Sequence, residues 1–402
     1  MLSSSTRRLR SDVLLPLLLF ILAATAPLVP AWAQAPGANF GTRAKAAILL
    51  DGDTGAILYQ HNAEELLPPA SVSKLMTAAV VFRALKEGRI KLTDEFTMSE
   101  HAWRTGGAPS RTSAMFVPIN TPATIDDLLK GMIIQSGNDA AICLAEGLGG
   151  TEDQFAKRMT VEARRIGLTK STFANPSGLS DPGQLMTARE IAMLSRYIIK
   201  EYPQFYPIFS QRLFEYRKHK FYNRNPLLAI EGLGADGLKT GQVKESGYNL
   251  AGSAVQGGKR LIVVVMGLAT ENERTAEAKK LLDWGYRSFA PFKLFNAGET
   301  VGSARVWGGK SFYVPLNGGD GPITVILPRV PENPRLKGEI VYDGPLKPPI
   351  KKGDQVAILR VTSQTNSVNE VPLYAAEDVE PGGIMRRGLD ALAHLAISWV
   401  PL

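Results

Sequence analysis

The chain has 402 residues and a formal net charge of +8, with 45% hydrophobic and 21% charged residues. This balance is that of a soluble globular protein with room for two ordinary domains. A positive net charge is compatible with binding to nucleic acid, to an anionic membrane surface or to an acidic substrate. The sequence has no dense Lys/Arg tract of the kind that binds nucleic acid, so we expect no nucleic-acid partner.

The first segment has the three-part layout of a secretory signal peptide. Arginines 7, 8 and 10 precede an apolar run over residues 13–29, and Ala31-Trp32-Ala33 offers a small-residue cleavage site. The alternative is a transmembrane anchor, but the run contains two prolines and is barely long enough to span a bilayer. We predict that residues 1–33 are a signal peptide and that the mature protein is exported to the periplasm.

Residues 40–289 are predicted to form one α+β domain. Strand patterns occur over residues 46–50 and 56–59, and again over 237–240, 248–255 and 260–268. Helical patterns occur over residues 71–85, from 124, from 138 to about 147, and over 154–166, 187–199 and 272–286. Thr124 and Thr187 each head a capping box. Strands at both ends with helices between them indicate one antiparallel sheet with the helices grouped together.

The composition changes after about residue 289. Short β-type runs punctuated by Gly and Pro predict a small all-β domain over residues 290–380. Residues 383–402 form a helix-like amphipathic segment with Arg386 and Arg387 on one face and Trp399 on the other. We expect this helix to lie peripherally on the membrane surface; the alternative is that it packs on its own β domain.

Some candidate reactive groups are predicted to have no function. The single cysteine, Cys143, lies in an apolar helix-like run and is expected to be a buried, inert thiol rather than a nucleophile. One cysteine in an exported chain also means no internal disulfide. The four histidines lack ligand spacing, so we expect no metal site and no cofactor.

Ser71-Val72-Ser73-Lys74 follows two prolines and opens a predicted helix. The i, i+3 spacing puts Ser71 and Lys74 side by side. A serine hydroxyl needs a base within hydrogen-bond reach, and a lysine can be that base only if burial or a second cation lowers its pKa. Taken alone, the pattern fits equally well a helix-capping serine followed by a solvated lysine.

Two further motifs follow. Ser136-Gly137-Asn138 falls between two helices, where a hydroxyl could relay a proton; Ser367-Val368-Asn369 also fits the pattern and is expected to have no function. Lys239-Thr240-Gly241 begins an apparent edge strand, where the cation and hydroxyl could hold a carboxylate and Gly241 would let substrate backbone approach. Either is weak alone, but the three motifs in this order are typical of penicillin-recognising serine enzymes.

On these motifs the chain resembles the low-molecular-mass penicillin-binding proteins that act as serine D-Ala-D-Ala carboxypeptidases. The likeness covers nearly the whole chain and rests chiefly on residues 69–77, 135–140 and 237–241. It implies a penicillin-binding/β-lactamase-like domain followed by a small all-β domain. It also implies an enzyme that acts on peptidoglycan stem peptides, binds β-lactams covalently and serves cell-wall biosynthesis and cell shape.

The resemblance implies roles in acyl transfer for four residues. Lys74, as free amine, would take the proton of Ser71, which would attack the carbonyl between the two D-alanines. The backbone N–H groups of Ser71 and Gln242 would hold the oxyanion. Ser136 would pass a proton to the departing D-alanine, and water would then release the acyl-enzyme.

The resemblance also implies a substrate-binding set. Asn138 would bind the substrate amide and steady the lysine base. Lys239 and Thr240 would hold the terminal carboxylate, with Gly241 beside them, and by position Arg274 would help. The charge of Lys239 would also lower the pKa of the neighbouring lysine base.

Two positions depart from the family pattern. The sequence has Ser177-Gly178-Leu179 where relatives often carry His-Gly-Leu, and Gln242 where relatives often carry His. Neither is the expected nucleophile or base, so both bear on the rate, pH dependence and speed of deacylation. The alternatives are a β-lactamase, a transpeptidase or endopeptidase on cross-linked stems, and a non-catalytic wall-binding protein, which would need no activated serine.

Overall fold

The computed structural model describes residues 40–329, 335–363 and 368–383. The predicted signal peptide, the Ser367 position and nearly all of the predicted C-terminal helix lie outside these ranges. Within them, no helix is both long and apolar enough to cross a bilayer.

The strands of the described residues are short to medium in length and fall into two groups along the chain. The strands of the first group are β1 (Ala46–Asp51), β2 (Ile57–His61), β3 (Glu95–Thr97), β4 (Pro122–Thr124), β5 (Leu213–Tyr216), β6 (His219–Tyr222), β7 (Ala235–Val243), β8 (Gly247–Gln256) and β9 (Lys259–Leu268). Those of the second are β10 (Phe289–Phe295), β11 (Gly302–Arg305), β12 (Tyr313–Asn317), β13 (Ile323–Pro328), β14 (Leu336–Val341), β15 (Gln355–Ser363) and β16 (Val368–Ala375).

The described helices all lie before the second group of strands. They are α1 (Lys74–Lys86), α2 (Glu100–Gly106), α3 (Ile125–Ile134), α4 (Asn138–Gly149), α5 (Glu152–Arg165), α6 (Ala188–Glu201) and α7 (Glu271–Ser288). Short 3-10 turns occur at Ala70–Ser73, Ala108–Ser110, Tyr206–Ser210 and Pro226–Ala229. The predicted capping at Thr124 and Thr187 is confirmed, since each hydroxyl accepts a hydrogen bond from the backbone three residues on.

The central sheet of the first domain has the strand order β2-β1-β9-β8-β7, with every pair antiparallel. The two ends of the segment supply its strands, as the sequence predicted. Side chains of β1 alternate between two cores: Ile48 packs with the helices from α1 to α6, and Leu49 packs with α7. Because helices cover both faces, every residue of β1 is buried.

Helix α4 is the most deeply buried helix in the first core. Its run from Ala140 to Ala145 has no solvent exposure, and Cys143 lies within it. Burial raises the pKa of the Cys143 thiol to about 12. The thiolate is therefore hard to form, as expected for an inert core cysteine.

Beyond α7 the described chain is entirely β-type, with its own core formed mainly by β11, β12, β13, β15 and β16. Contacts between the two parts include a strand pairing and a packed side chain. Val368 of β16 pairs with Ile57 of β2, and Ile326 of β13 packs into the core around α7. The fold is thus the expected mixed α+β domain followed by a small β-rich domain.

The sequence missed some elements and misplaced one. Strands β3 and β4 have three residues each and α2 has seven, too few for a clear period. The hairpin of β5 and β6 was also missed. The Lys239-Thr240-Gly241 motif was expected to begin an edge strand; it lies on the edge strand β7, but in its middle, because β7 already begins at Ala235.

Candidate active site

Ser71 lies in a tight turn that leads into α1. The 3-10 turn Ala70–Ser73 comes directly before Lys74, the first residue of the α-helix, and Ala70 has a left-handed φ of 51°. The hydroxyl of Ser73 closes the turn on the carbonyl oxygen of Ala70 at 2.9 Å. The turn leaves Ser71 partly exposed and places its Oγ 3.0 Å from Lys74 Nζ.

Lys74 is surrounded by neutral oxygen acceptors. Its side chain is 1% exposed, and Nζ donates to Ser71 Oγ, to Asn138 Oδ1 at 2.7 Å and to the carbonyl oxygen of Ser177. The pKa of Lys74 is lowered to about 7, chiefly by burial and also by the charge of Arg224, while the charge of Asp139 opposes the shift. Near neutral pH a substantial fraction of Lys74 is therefore the free amine that a general base requires.

The second motif occupies the turn between α3 and α4. Ser136 has a left-handed φ of 66°, and Asn138 begins α4 with its backbone N–H 2.7 Å from the carbonyl oxygen of Ser113. Ser136 Oγ accepts a hydrogen bond from Lys239 Nζ at 3.0 Å. The Ser136 hydroxyl is therefore hydrogen-bonded to the third motif, whereas the Asn138 side-chain amide is hydrogen-bonded to Lys74 of the first motif.

The Asn138 amide is occupied at both ends. Its oxygen accepts from Lys74, and its nitrogen donates to Thr112 Oγ1 at 2.9 Å; the residue is 4% exposed. The arrangement fits the expected role of steadying Lys74. The expected bond to a substrate amide would require Asn138 to release Thr112.

The third motif runs alongside Ser71. Lys239 and Thr240 are buried on β7. A side chain at Gly241 would place its Cβ 2.7 Å from the carbonyl oxygen of Pro69 and 3.0 Å from the backbone nitrogen of Ser71. Glycine was expected here to admit substrate backbone, but the backbone that approaches closely is the protein's own nucleophile turn. The contact brings the Gly241–Gln242 peptide beside Ser71.

Between the three motifs is a cleft of about 410 Å³. Its wall is mainly polar and is formed by Ser71, Ser113, Ser136, Arg224, Thr240, Gly241, Gln242, Tyr248, Glu271 and Arg274. The predicted residues on this wall come from a turn before α1, from the α3–α4 turn, from β7 and from α7.

Arg274 is buried yet incompletely paired. It is 3% exposed, donates through one terminal nitrogen to Glu271, and has its guanidinium 5.6 Å from the ring centroid of Tyr248. Its Nε has no hydrogen-bond partner among the described residues. A buried, unpaired donor on a cleft wall is suited to an anionic ligand.

Lys239 adds a second buried cation. Burial lowers its pKa well below the ordinary value, and the charges of Lys74, Arg224 and Arg274 lower it further. The expectation that Lys239 is what depresses the pKa of Lys74 needs correction, because burial is the largest cause there. A carboxylate bound in this cleft would offset the mutual repulsion and favour the charged form of Lys239.

Ser177, the first residue that departs from the family pattern, bonds to Lys74 through its main chain and not through its hydroxyl. Its carbonyl oxygen accepts from Lys74, while its hydroxyl donates to Asn175 Oδ1 at 3.0 Å. Gly178 has a φ of 75°, and a Cβ there would come 2.2 Å from the carbonyl oxygen of Ala70. The glycine of the family pattern is therefore required sterically, whereas the serine side chain does not touch the base. Gln242, the second departure, is exposed on the cleft wall.

Sequence reasoning assigned no role to several residues that position the nucleophile turn. Ser246 Oγ and Asn249 Nδ2 both donate to the carbonyl oxygen of Pro68, at 2.7 and 3.1 Å. Asn249 also accepts from the backbone of Gly267 at 2.9 Å. These bonds join the start of β8 to the segment before Ser71. A buried polar residue in a strand is a usable signal for such a contact, although the signal does not name the partner.

Comparison with known proteins identifies the class of enzyme to which this fold and cleft belong. Residues 32–270 match the D-alanyl-D-alanine carboxypeptidase family, and residues 289–381 match the C-terminal domain of penicillin-binding protein 5. D-alanyl-D-alanine carboxypeptidase DacC of Escherichia coli K12 is 40% identical over 383 residues, which are 95% of this chain and 94% of DacC. DacF of Bacillus subtilis 168 is 32% identical, over 94% of this chain and 96% of its own length.

Solved structures agree. Penicillin-binding protein 5 of Haemophilus influenzae has a TM-score of 0.71 and 35% identity, and the match covers 85% of this chain and 98% of that one. Penicillin-binding protein D2 of Listeria monocytogenes, solved in its ampicillin-bound form, has a TM-score of 0.54 and 30% identity, over 62% of this chain and 99% of its own.

The chain belongs to the D-alanyl-D-alanine carboxypeptidase family. It is a serine-type D-Ala-D-Ala carboxypeptidase with a penicillin-binding protein 5-like C-terminal domain, and the resemblance inferred from its motifs is confirmed.

Proposed function

We propose that this carboxypeptidase removes the terminal D-alanine from peptidoglycan pentapeptide stems through an acyl-enzyme on Ser71, with Lys74 as the general base. One observation carries the assignment: Lys74 Nζ is buried, lies 3.0 Å from Ser71 Oγ and has a pKa lowered to about 7. A lysine with its ordinary pKa would be almost wholly protonated at neutral pH and could not accept the proton.

The first step is acylation. The Ser71 proton moves to Lys74 Nζ as the bond forms between Ser71 Oγ and the carbonyl carbon joining the two D-alanines. The negative charge on the carbonyl oxygen is held by the backbone N–H groups of Ser71 and Gln242. The close approach at Gly241, which brings β7 alongside the Ser71 turn, supports this pairing of donors.

The second step expels D-alanine. The bond from the carbonyl carbon to nitrogen breaks, and the departing nitrogen takes the proton of the Ser136 hydroxyl. Lys239 returns a proton to Ser136 across their 3.0 Å hydrogen bond, and the ammonium formed on Lys74 restores Lys239. In net terms one proton passes from Ser71 to the released D-alanine, and Lys74 is again a free amine.

The third step is hydrolysis. Water gives a proton to Lys74 and attacks the ester carbon; the bond to Ser71 Oγ breaks, and Lys74 returns the proton to Ser71. The carboxylic acid formed gives its proton to water, and the shortened stem leaves as a carboxylate. Ser177 supports the position of Lys74 through its carbonyl oxygen in each step.

The terminal carboxylate of the stem would lie against the cationic wall of the cleft. Thr240 and Arg274 present donors on that wall, and the Nε of Arg274 has no hydrogen-bond partner among the described residues. The buried ammonium of Lys239 is bonded to Ser136, which is itself on the wall. Since cations converge on a buried site, a negatively charged substrate group would stabilise it. The same set would receive the carboxylate of a β-lactam, which agrees with the ampicillin-bound form of the Listeria relative.

Mass spectrometry of muropeptides after incubation with the enzyme tests the reaction. We expect pentapeptide stems to lose one alanine with the wild-type enzyme and to stay intact with Ser71→Ala. Ser210→Ala is the matched control, because Ser210 is an exposed serine in another 3-10 turn and should leave the reaction unchanged. A folded wild-type enzyme that leaves pentapeptides intact would contradict the proposal.

We also propose where the enzyme works and how its chain is divided. Residues 1–33 would direct export to the periplasm, residues 40–289 would carry catalysis, residues 290–380 would form the β domain, and residues 383–402 would attach the protein peripherally to the outer face of the cytoplasmic membrane. Deleting residues 383–402 should move the protein into the soluble fraction. Retention of the truncated protein on membranes would contradict attachment through this segment.

A further inference from the structure

The turn between β11 and β12 exposes large apolar side chains. Trp307 is 37% exposed, Phe312 38% and Tyr313 54%. The guanidinium of Arg305 lies 4.8 Å from the ring centroid of Phe312 and 5.4 Å from that of Tyr313, and Lys310 is exposed at the turn. We call residues 305–313 the aromatic hairpin; it contains two cations and no acidic residue.

The aromatic hairpin is fixed beside the point where the chain passes into its C-terminal segment. The backbone N–H of Lys310 donates to the carbonyl oxygen of Glu380 at 2.8 Å, and that of Gly382 donates to the carbonyl oxygen of Gly308 at 2.9 Å. Gly309 and Pro381 form an antiparallel bridge. The last described residues, up to Gly382, therefore run alongside the aromatic hairpin.

The chemistry of the aromatic hairpin suits a lipid headgroup region. Tryptophan and tyrosine combine an apolar ring with a polar tip and are enriched where hydrocarbon meets water. Arginine and lysine beside them complement anionic headgroups. Three large rings exposed on one short turn are an unfavourable surface for water, whereas the same rings scattered singly would need no explanation.

We propose that the aromatic hairpin is a second membrane contact, which inserts its rings into the headgroup region of an anionic bilayer beside the C-terminal segment. This inference rests on the peripheral attachment proposed above. Two adjacent contacts on one rigid domain bind more tightly than either alone and limit the rotation of the β domain on the membrane. The bilayer is favoured over other occupants because the predicted membrane-binding segment begins at this hairpin.

Co-sedimentation of the mature full-length chain with vesicles of phosphatidylethanolamine and phosphatidylglycerol tests the proposal. Trp307→Ala combined with Tyr313→Ala should weaken partitioning by about ten-fold or more, since interfacial ring burial is lost. The matched control is Leu213→Ala with Tyr222→Ala, a more exposed cross-strand pair on the β5–β6 hairpin of the catalytic domain, which should bind as the wild type does. D-alanine release from a soluble peptide should be equal in all three proteins and reports folding.

The outcomes separate this proposal from the one on which it rests. If the wild type does not sediment with vesicles, both peripheral attachment and the second contact are wrong. If the wild type sediments and the double variant does so equally, only the second contact is wrong. It is also wrong if the double variant loses binding to purified peptidoglycan sacculi rather than to vesicles.

A second measurement addresses the alternative that residues 384–402 cover the aromatic hairpin. Trp307 fluorescence, taken as the difference between the wild type and Trp307→Phe, should be quenched by iodide without lipid, because the side chain is 37% exposed. We expect equal quenching with and without residues 384–402, and protection on adding vesicles. Stronger quenching after deletion, without lipid, would show that the segment covers the rings and would overturn the proposal.

Discussion

The Nζ of Lys74 donates to three oxygens, and none of them is a carboxylate. The fold thus supplies hydrogen bonds to the lysine without the local negative charge that would stabilise its ammonium form. Burial then decides the protonation state, because a desolvated ammonium is costly. The charge of Asp139 opposes this lowering of the pKa of Lys74, but the Asp139 carboxylate is hydrogen-bonded to backbone N–H groups and not to Lys74.

The lowered pKa of Lys74 predicts a pH dependence for acylation. The free amine is the active form, so the rate should rise as pH increases through about 7, where Lys74 loses its proton, and should level off above it. The second-order rate of covalent labelling by a fluorescent penicillin, measured from pH 5.5 to 8.5, checks this. A rate that falls over the same range would mean that the protonated lysine is the active form.

Removing the base should abolish most acylation without unfolding the protein. We expect Lys74→Ala to slow penicillin labelling by roughly 10²–10⁴-fold, the usual contribution of a general base. Lys86→Ala, at the other end of the same helix and paired on the surface with Glu201, serves as control and should label normally. Normal labelling of Lys74→Ala would exclude Lys74 as the base.

At the scale of elements, the second motif is held by a buried carboxylate. Asp139 has no solvent exposure and accepts hydrogen bonds from the backbone of Met115 and Phe116 at 2.8 Å and of Val117 at 3.4 Å. These bonds fix the loop that follows Ser113, and Ser113 itself forms part of the cleft wall. The residue after Asn138 therefore ties the start of α4 to a distant loop.

Loss of this carboxylate should cost stability. Asp139→Ala leaves buried backbone donors unpaired and should lower the free energy of unfolding by about 3 kcal/mol. Asp139→Asn keeps one acceptor oxygen and should lose less. Urea denaturation of both variants checks the order, with Asp320→Ala, in an exposed turn of the β domain, as control. Equal stability of Asp139→Ala and the wild type would show that these hydrogen bonds do not stabilise the fold.

The contact between β7 and the Ser71 turn makes Gly241 sensitive to a single methyl group. Gly241→Ala should push the strand from Pro69 and Ser71 and slow acylation by at least about ten-fold, because displaced groups stabilise the transition state poorly. Gly321→Ala, where a methyl group meets open space, should have no effect. An unchanged labelling rate in Gly241→Ala would show that the strand does not need this close approach.

Much of the site was predictable because its side chains carry their chemistry in short motifs. Ser71, Lys74, Ser136 and Lys239 come together as the motif order implied. Contacts made by the main chain leave no such pattern, so the carbonyl oxygen of Ser177 that holds Lys74 was not foreseen. The hydrogen bonds of Asp139 were missed for a related reason: the partners of its carboxylate are backbone N–H groups more than twenty residues away.

At the scale of the whole molecule, the order of the longer helices and of the central strands along residues 40–289 followed from periodicity and capping. The continuation of the sheet into the second domain did not. It depends on one pairing, Val368 with Ile57, and a single residue pair more than three hundred positions apart has no local signature. The packing of Ile326 into the core around α7 likewise has no local signature.

The division into domains predicts that catalysis survives without the β domain. All residues on the cleft wall lie between Ser71 and Arg274, and the ampicillin-bound Listeria relative aligns with only 62% of this chain over 99% of its own length. A protein of residues 34–289 should react with penicillin at a rate within about three-fold of the longer chain. It should melt earlier, since the core around α7 loses the buried side chain of Ile326. A well-folded fragment that does not react would place part of the active site in the β domain.

The central claim is that the acyl-enzyme forms on Ser71. It is tested most directly by brief incubation of the mature chain with a penicillin at neutral pH, followed by proteolysis and mass spectrometry of the peptides. We predict one adduct, with the mass of the intact penicillin, on the peptide that contains Ser71, and no adduct in Ser71→Ala. An adduct on another residue, or one that persists in Ser71→Ala, would contradict the account.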